Sequence, residues 1–270
     1  MRIVLVGPGR AGQSVAIAAN GAGHDVVAIV ARDTEQTDEV TRRLDADVIG
    51  IGEPIPAADL IIIAVRDHAI EDVAGQIAPV ARNAAARAVH LSGATPVEAL
   101  AAFASQGIAT GSLHPLQTMP NPDRGARSLV GSWMAVTADE PLRSELRSFV
   151  ASLGGRPFDL RDVDRSAYHA AAAAAANFST AAFVIAQRLL ASTDVPFDAA
   201  RPLVEQIVAN AFELGPRASL TGPIARGDVD TITAQIDAVR LLAPDLAAAF
   251  EDMVSATTAV AAPRGDEGWE

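Results

Sequence analysis

Apolar and polar positions change rhythm once along this chain, near residue 161. Before that point, short unbroken apolar runs recur: Ile3 to Val6, Val26 to Ala31, "DLIIIAV" (59–65) and "RAVHLSG" (87–93). Such runs, bounded by glycine and polar residues, read as strands buried on both faces, as in parallel sheets. Helical stretches lie between them, among them "RDHAIEDVAGQI" and "ATPVEALAAF", and "GIATGSL" (107–113) and "SWMAVTA" (132–138) read as further strands. Strands alternating with helices, joined by right-handed crossovers, predict an open, doubly wound, mostly parallel sheet with helices on both faces. After "LGGRPFDL" the alternation stops. The text becomes alanine-rich, and helices are predicted over 162–193, 198–214, 228–241 and 244–260, separated by proline and glycine. Asp228 stands where the third of these needs an N-cap.

The turn after the first strand carries the sharpest motif. "VGPGRAGQ" places Gly7, Gly9 and Gly12 in a G-x-G-x-x-G string between a strand and a helix, the context that makes the string a dinucleotide fingerprint. Gly7 permits the tight turn, Gly9 lets the backbone approach a pyrophosphate, and Gly12 lets helix and strand pack closely, with the phosphates over the helix N-terminus. Pro8, Arg10 and Ala11 complete the phosphate loop. An NAD site places an acid about 20 residues past the glycines. Here Ala31 is followed by Arg32, whose guanidinium suits the 2′-phosphate of NADP, while Asp33 leaves some room for NAD. The expected architecture is therefore α/β: a Rossmann-type doubly wound domain over 1–160, an all-helical substrate and dimerisation domain over 161–262, and a disordered tail over 263–270. Ligands in such sheets sit outside the C-terminal strand edges. This makes Val65, Arg66, Asp67, Ser92, Gly93 and the loop "HPLQTMP" (114–120), with Gln117, candidate lining, and Val65, Arg66 and Ser92 candidate cofactor contacts.

Composition then removes several classes of function. The 270 residues carry a formal charge of -12, which argues against a phosphate-backbone partner. There is no cysteine, so disulfides, thiolate nucleophiles and cysteine zinc sites are excluded, in keeping with a reducing cytoplasm. Five scattered histidines suggest no metal site. All 21 basic residues are arginine, so no lysine can serve as acid, base or Schiff base. No uninterrupted apolar run reaches the roughly 18 residues of a membrane span, and no leader pattern precedes the first strand, which leads us to expect a soluble protein.

The fingerprint, "HLSGA", "SLHPLQT", "YHAAA...NF" and "TGPIARGD" together resemble a bacterial family that joins a Rossmann-like N-terminal domain to a helical domain of unknown function. The resemblance spans nearly the whole chain. It implies an NADP oxidoreductase related to ketopantoate reductases, pyrroline-carboxylate reductases and β-hydroxyacid dehydrogenases, with a homodimer built through the helical domain. In those relatives the first long helix after the Rossmann domain lines the cleft and carries a catalytic lysine one turn before an asparagine. Asn177 matches the asparagine; the lysine position is Ala173.

These expectations identify specific residues. Reduction of a ketone needs a proton donor at the carbonyl oxygen, and His114 and His169 are the candidates, because an unperturbed imidazole donates and re-protonates near neutral pH. On a regular helix His169 lies about 12 Å from Asn177 along the axis and about 80° around it, and with Arg165 and Thr180 the two would form one polar flank. Asn177 would bond the substrate or developing alkoxide, Ser92 the nicotinamide amide, and Arg226 a substrate carboxylate bidentately. The expected function is NADPH-dependent reduction of a small carboxylate-bearing carbonyl compound, 2-dehydropantoate first. The alternatives are an imine reductase of the pyrroline-5-carboxylate type and a non-catalytic NADP-binding sensor or scaffold. A flavin or deazaflavin as hydride partner also stays open.

Overall fold

In a computed structural model, which describes residues 1–31, 35–82 and 84–262, the apolar runs become one eight-stranded sheet. Arg32, Asp33 and the tail over 263–270 lie outside the described residues. The strands are β1 (Arg2–Val6), β2 (Asp25–Val30), β3 (Asp47–Ile49), β4 (Leu60–Ile63), β5 (Arg87–His90), β6 (Ala109–Pro115), β7 (Trp133–Ala138) and β8 (Arg156–Asp159), in the spatial order β3-β2-β1-β4-β5-β6-β7-β8. The first six run parallel, β7 is antiparallel to β6, and β8 is parallel to β7. The helices of this part are α1 (Arg10–Gly21), α2 (Glu35–Leu44), α3 (Ile70–Ala81), α4 (Ala101–Ala104), α5 (Pro122–Ser128), α6 (Leu142–Ser152) and α7 (Arg165–Ala173).

Side chains alternate across each strand, so β1 feeds both cores. Ile3 and Leu5 pack with Val15 and Ala19 of α1 and with Leu146 and Phe149 of α6. Val4 and Val6 pack on the other face with Ile70 and Ile77 of α3 and Phe103 of α4. β4 is buried at every position, which is why its sequence is an unbroken run of leucine and isoleucine.

Two strands escaped the sequence pattern because they are edges. β3 and β8 carry mostly exposed or half-buried residues and so have no apolar signature. The end of β6 is a second difference: His114 and Pro115, expected in a loop, pair with Ala135 and Met134 and belong to the strand.

The chain divides into two compact units at Ala173/Ala174, inside the long helix, whereas the change in sequence rhythm comes near residue 161. The second unit opens with a π-helical turn, Ala174–Phe178, and continues as α8 (Ser179–Ala191), α9 (Arg201–Leu214), α10 (Pro223–Arg226), α11 (Val229–Leu242) and α12 (Ala247–Ala261). Asp228 caps α11 as expected, its carboxylate accepting from the Thr231 N–H at 3.1 Å. The wide turn corrects the regular-helix geometry assumed for Asn177, which lies inside it. The hydroxyls of Ser179 and Thr180 donate to the carbonyls of Ala175 and Ala176 at 3.0 and 2.9 Å, a back-bonding pattern that accompanies distorted helices. Counting uninterrupted apolar runs passed over the 30-residue helix at 162–191, which by length and composition alone is long and apolar enough to cross a membrane. Much of that apolarity is alanine.

Candidate active site

The glycine loop shows which of its residues the protein itself requires to be small. Gly7 has φ of +89°, and a Cβ there would lie 2.7 Å from Val65 Cγ1, so only glycine makes the turn. A Cβ on Gly12 would lie 2.6 Å from the Gly7 carbonyl oxygen and 2.8 Å from Ala64 Cβ, because helix and strand touch there. Gly9 is different. A Cβ on it would meet only the Ala64 carbonyl, at 3.7 Å, so the protein leaves that space open. Gly9 is also the N-cap of α1, with no side-chain cap and no acid in the first turn. An uncapped N-terminus beside open space fits the pyrophosphate of a dinucleotide. Arg10 and Ala11 are exposed at this mouth, and Arg10 makes one long bond to the Pro120 carbonyl at 3.5 Å. Val65 is half-buried against Gly7, and Arg66 is exposed at the end of β4.

A second cluster forms where β5 and β6 end. His90 and Ser112 face each other in register, and His114, two residues on, shares their sheet face. α7 supplies the other half: Arg165, Tyr168 and His169. The Tyr168 hydroxyl lies 2.7 Å from His114 Nδ1, and the two rings meet edge-on at 5.4 Å. Tyr168 is also edge-on to Phe158 of β8 at 5.8 Å, and the His114 and His169 rings are 6.1 Å apart. A Cβ on Gly93 would lie 2.8 Å from His114 Nε2 and 2.9 Å from His169 Nδ1, so both imidazoles converge on this glycine.

Beneath them sits a buried charge. Arg165 is 2% exposed, its Nε bonded to Asp162 and one Nη to the Ser92 carbonyl at 3.3 Å. Its other Nη, like His90 Nε2, is buried without a partner among the described residues. The Asp162 carboxylate also accepts from the Val97 N–H at 3.0 Å, so the Arg165–Asp162 pair ties the loop after β5 to the start of α7. The Ser92 hydroxyl accepts from the N–H groups of Ala94 and Thr95 at 3.2 and 3.0 Å, which holds that loop in shape.

Burial and positive neighbours set the proton affinities. Desolvation, then His169 and Arg165, push His114 down to about 4. His90 is also pushed down to about 4, by burial first and Arg165 second. Burial pushes the Tyr168 phenol up to about 12, with Arg165 pulling the other way.

The expected residues thus fall into two groups. His114, His169, Ser92 and Gly93 come together in the first unit. Gln117 is exposed there, its amide donating to the Ser128 carbonyl at 3.3 Å. Asn177, Thr180 and Arg226 are exposed residues of the second unit, and the Thr180 hydroxyl is occupied by its own helix. Arg165, placed by the sequence on a flank with Asn177, is instead buried, bonded to Asp162 and to the Ser92 carbonyl. Tyr168 was missed. Its signal was available, since it is the one tyrosine in the chain and adjoins His169.

Comparison with known proteins agrees with this architecture. A Rossmann-like domain model matches residues 1–115, and the model of the domain of unknown function DUF2520 matches 132–257. No curated protein matches the chain. A protein of Bacteroides fragilis named as a candidate NADP oxidoreductase superposes with a TM-score of 0.84 at 23% identity, over 96% of this chain and 98% of that one. An imine reductase from Myxococcus stipitatus in complex with NADP+ gives 0.68 at 17% identity, over 96% and 94%. A pyrroline-5-carboxylate reductase from Coxiella burnetii gives 0.57 at 15% identity, over 96% of each chain. At these identities the likeness is one of fold. The Rossmann-like model and the DUF2520 model thus match successive parts of the chain.

Proposed function

We propose that this chain is an NADP-dependent oxidoreductase that reduces the C=O or C=N bond of a small carboxylate-bearing molecule in the cytoplasm. One observation carries the reading. The uncapped, open-sided Gly9 turn and the His114–Tyr168 pair are both built at the carboxyl ends of strands of one sheet, which is where a doubly wound sheet binds its ligands. NADPH, when bound, supplies the hydride. The residues of the chain then have two tasks: Gly7, Gly9 and Gly12 admit and seat the cofactor, and the phenol–imidazole pair delivers a proton to the reduced atom.

A ketone oxygen must gain that proton as it is reduced, and a protonated phenol held by an imidazole suits this need. This keeps 2-dehydropantoate as the first substrate. An imine arrives more easily protonated and asks less of a donor; the likeness in fold to imine and pyrroline-5-carboxylate reductases favours it as the second reading. The parts proposed for Asn177, Thr180, Arg226 and Gln117 in substrate binding rest on family resemblance, and that of Arg32 on the 2′-phosphate argument. A homodimer through the helical unit completes the proposal.

The test is loss of NADPH absorbance with 2-dehydropantoate, other 2-keto acids and pyrroline-5-carboxylate. Turnover of a keto acid supports the first reading, and turnover of the cyclic imine alone the second. Tight NADPH binding with silence on the whole panel would leave the sensor or scaffold.

A further inference from the structure

We propose that Tyr168 is the proton donor of this site, with His114 as the relay that restores its proton and the buried Arg165 as the fixed cation beneath both. The proposal rests on the reduction reading above and names the acid that the reading requires.

Geometry is the first support. The Tyr168 ring is held edge-on between Phe158 and His114, and its hydroxyl is 2.7 Å from Nδ1 of an imidazole whose other nitrogen faces Gly93. His114 Nε2 and the Nδ1 of the exposed His169 both converge on Gly93, so the proposed path runs from the phenol through His114 toward His169 and solvent. The path therefore has a reacting end and a solvent end.

Proton affinity decides which group acts. Lowered to about 4, His114 is protonated about once in a thousand molecules at neutral pH, so it stores no proton for the reaction. The phenol, raised to about 12, is fully protonated. Its difficulty is the opposite one, the cost of the phenolate that donation leaves. Arg165 addresses that cost: its buried guanidinium acts on the phenol in the stabilising direction. The other groups that act on His114 are His169 on α7 and Asp67 after β4; His90 on β5 and Asp162 share Arg165 with the pair.

The step balances as follows. The hydride adds to the carbonyl carbon, the C=O π pair moves to oxygen, and that oxygen takes the Tyr168 proton. In the tautomer with hydrogen on Nδ1, His114 donates to the Tyr168 oxygen throughout, then passes that proton to the phenolate while Nε2 gains one from solvent by way of His169. One hydride and one proton are consumed, and His114 is left with its hydrogen on Nε2; loss of that proton to solvent and reprotonation at Nδ1 restore the starting tautomer.

Because Tyr168 is the one tyrosine of the chain, it can be labelled alone. Tyr168→Phe keeps both ring contacts and loses the hydroxyl. It should lower kcat about 100-fold or more at saturating substrate with NADPH affinity unchanged, and a loss below about threefold overturns the proposal. Biosynthetic 3-fluorotyrosine makes the phenol more acidic and should shift the alkaline limb of the kcat–pH profile to lower pH, a shift that a purely structural tyrosine would not produce. An unmoved limb overturns the donor role. The fluorine resonance reads the phenol's titration without any substrate, and Arg165→Met should move that titration to higher pH while Arg165→Lys keeps most of the effect. If neither arginine variant moves it, the part given to Arg165 is wrong. Wild-type silence on keto acids and cyclic imine alike would overturn the reduction reading and the donor role together. An active wild type with an active Tyr168→Phe would overturn the donor role alone.

Discussion

Gly93 is the residue on which the candidate site turns most sharply. It bears no chemistry, yet both imidazoles rest on it, and any Cβ there would stand under 3 Å from each ring. Gly93→Ala should leave the fold intact and displace both histidines, lowering kcat about tenfold or more, since displacements of about an ångström cost rates of that order; kinetics beside a thermal melt would check it. The histidines also predict a pH dependence of stability. When unfolded, His90 and His114 gain a proton as pH falls through about 6.5; when folded, they resist protonation down to about 4. Their contribution is thus complete above about pH 6.5, is lost progressively between about 6.5 and 4, and is flat below that. For His90, which is fully enclosed, the linked loss is on the order of 3 kcal/mol. Melting temperatures should fall over that window, and His90→Gln should flatten the slope. Sequence could name His114 and His169, because histidine is visible chemistry at a strand end or beside a motif. It could not name Tyr168 as their partner, because the contact joins residues 54 apart in the chain.

At the level of elements, the β1–α1 turn separates what the fold demands from what a ligand would demand. Gly12→Ala drives a methyl into the Gly7 carbonyl and Ala64, and should lower thermal stability by about 1–3 kcal/mol. Gly9→Ala has room within the protein and should melt like wild type, yet weaken NADPH about tenfold or more by standing where the phosphates approach. Calorimetric melts and NADPH titrations of the two variants test this pair; equal NADPH affinities for Gly9→Ala and wild type would remove the cofactor from this turn. The long helix shows the limit of local reading. Seven alanines predict an unbroken rod, and nothing in them marks the π turn at Ala174–Phe178, in which Asn177 lies. Edge strands escaped for a related reason: β3 and β8 join the sheet through backbone bonds that leave no trace in side-chain pattern.

The whole molecule consists of two units of different character. The first buries two apolar cores around its sheet. The second leaves large apolar side chains uncovered, most plainly on α9, where no residue is buried and Leu203 and Phe212 are 73% and 90% exposed. Within the same unit an apolar cleft of about 280 Å³ opens between α8, α10 and α12. Uncovered surface of this kind marks an interface, and it supports the proposed homodimer. Phe212→Asp should therefore shift the protein from dimer to monomer in sedimentation velocity, with the far-ultraviolet spectrum retained. By itself the sequence determined six of the eight strands, the glycine turn after β1 and the helical second half, because hydrophobic periodicity and glycine stereochemistry act over a few residues. Only the tertiary structure decided that His114 meets Tyr168, that Arg165 is buried under Ser92 and that Gly93 supports two imidazoles, because these contacts depend on how β5, β6 and α7 are stacked, and no local pattern encodes that.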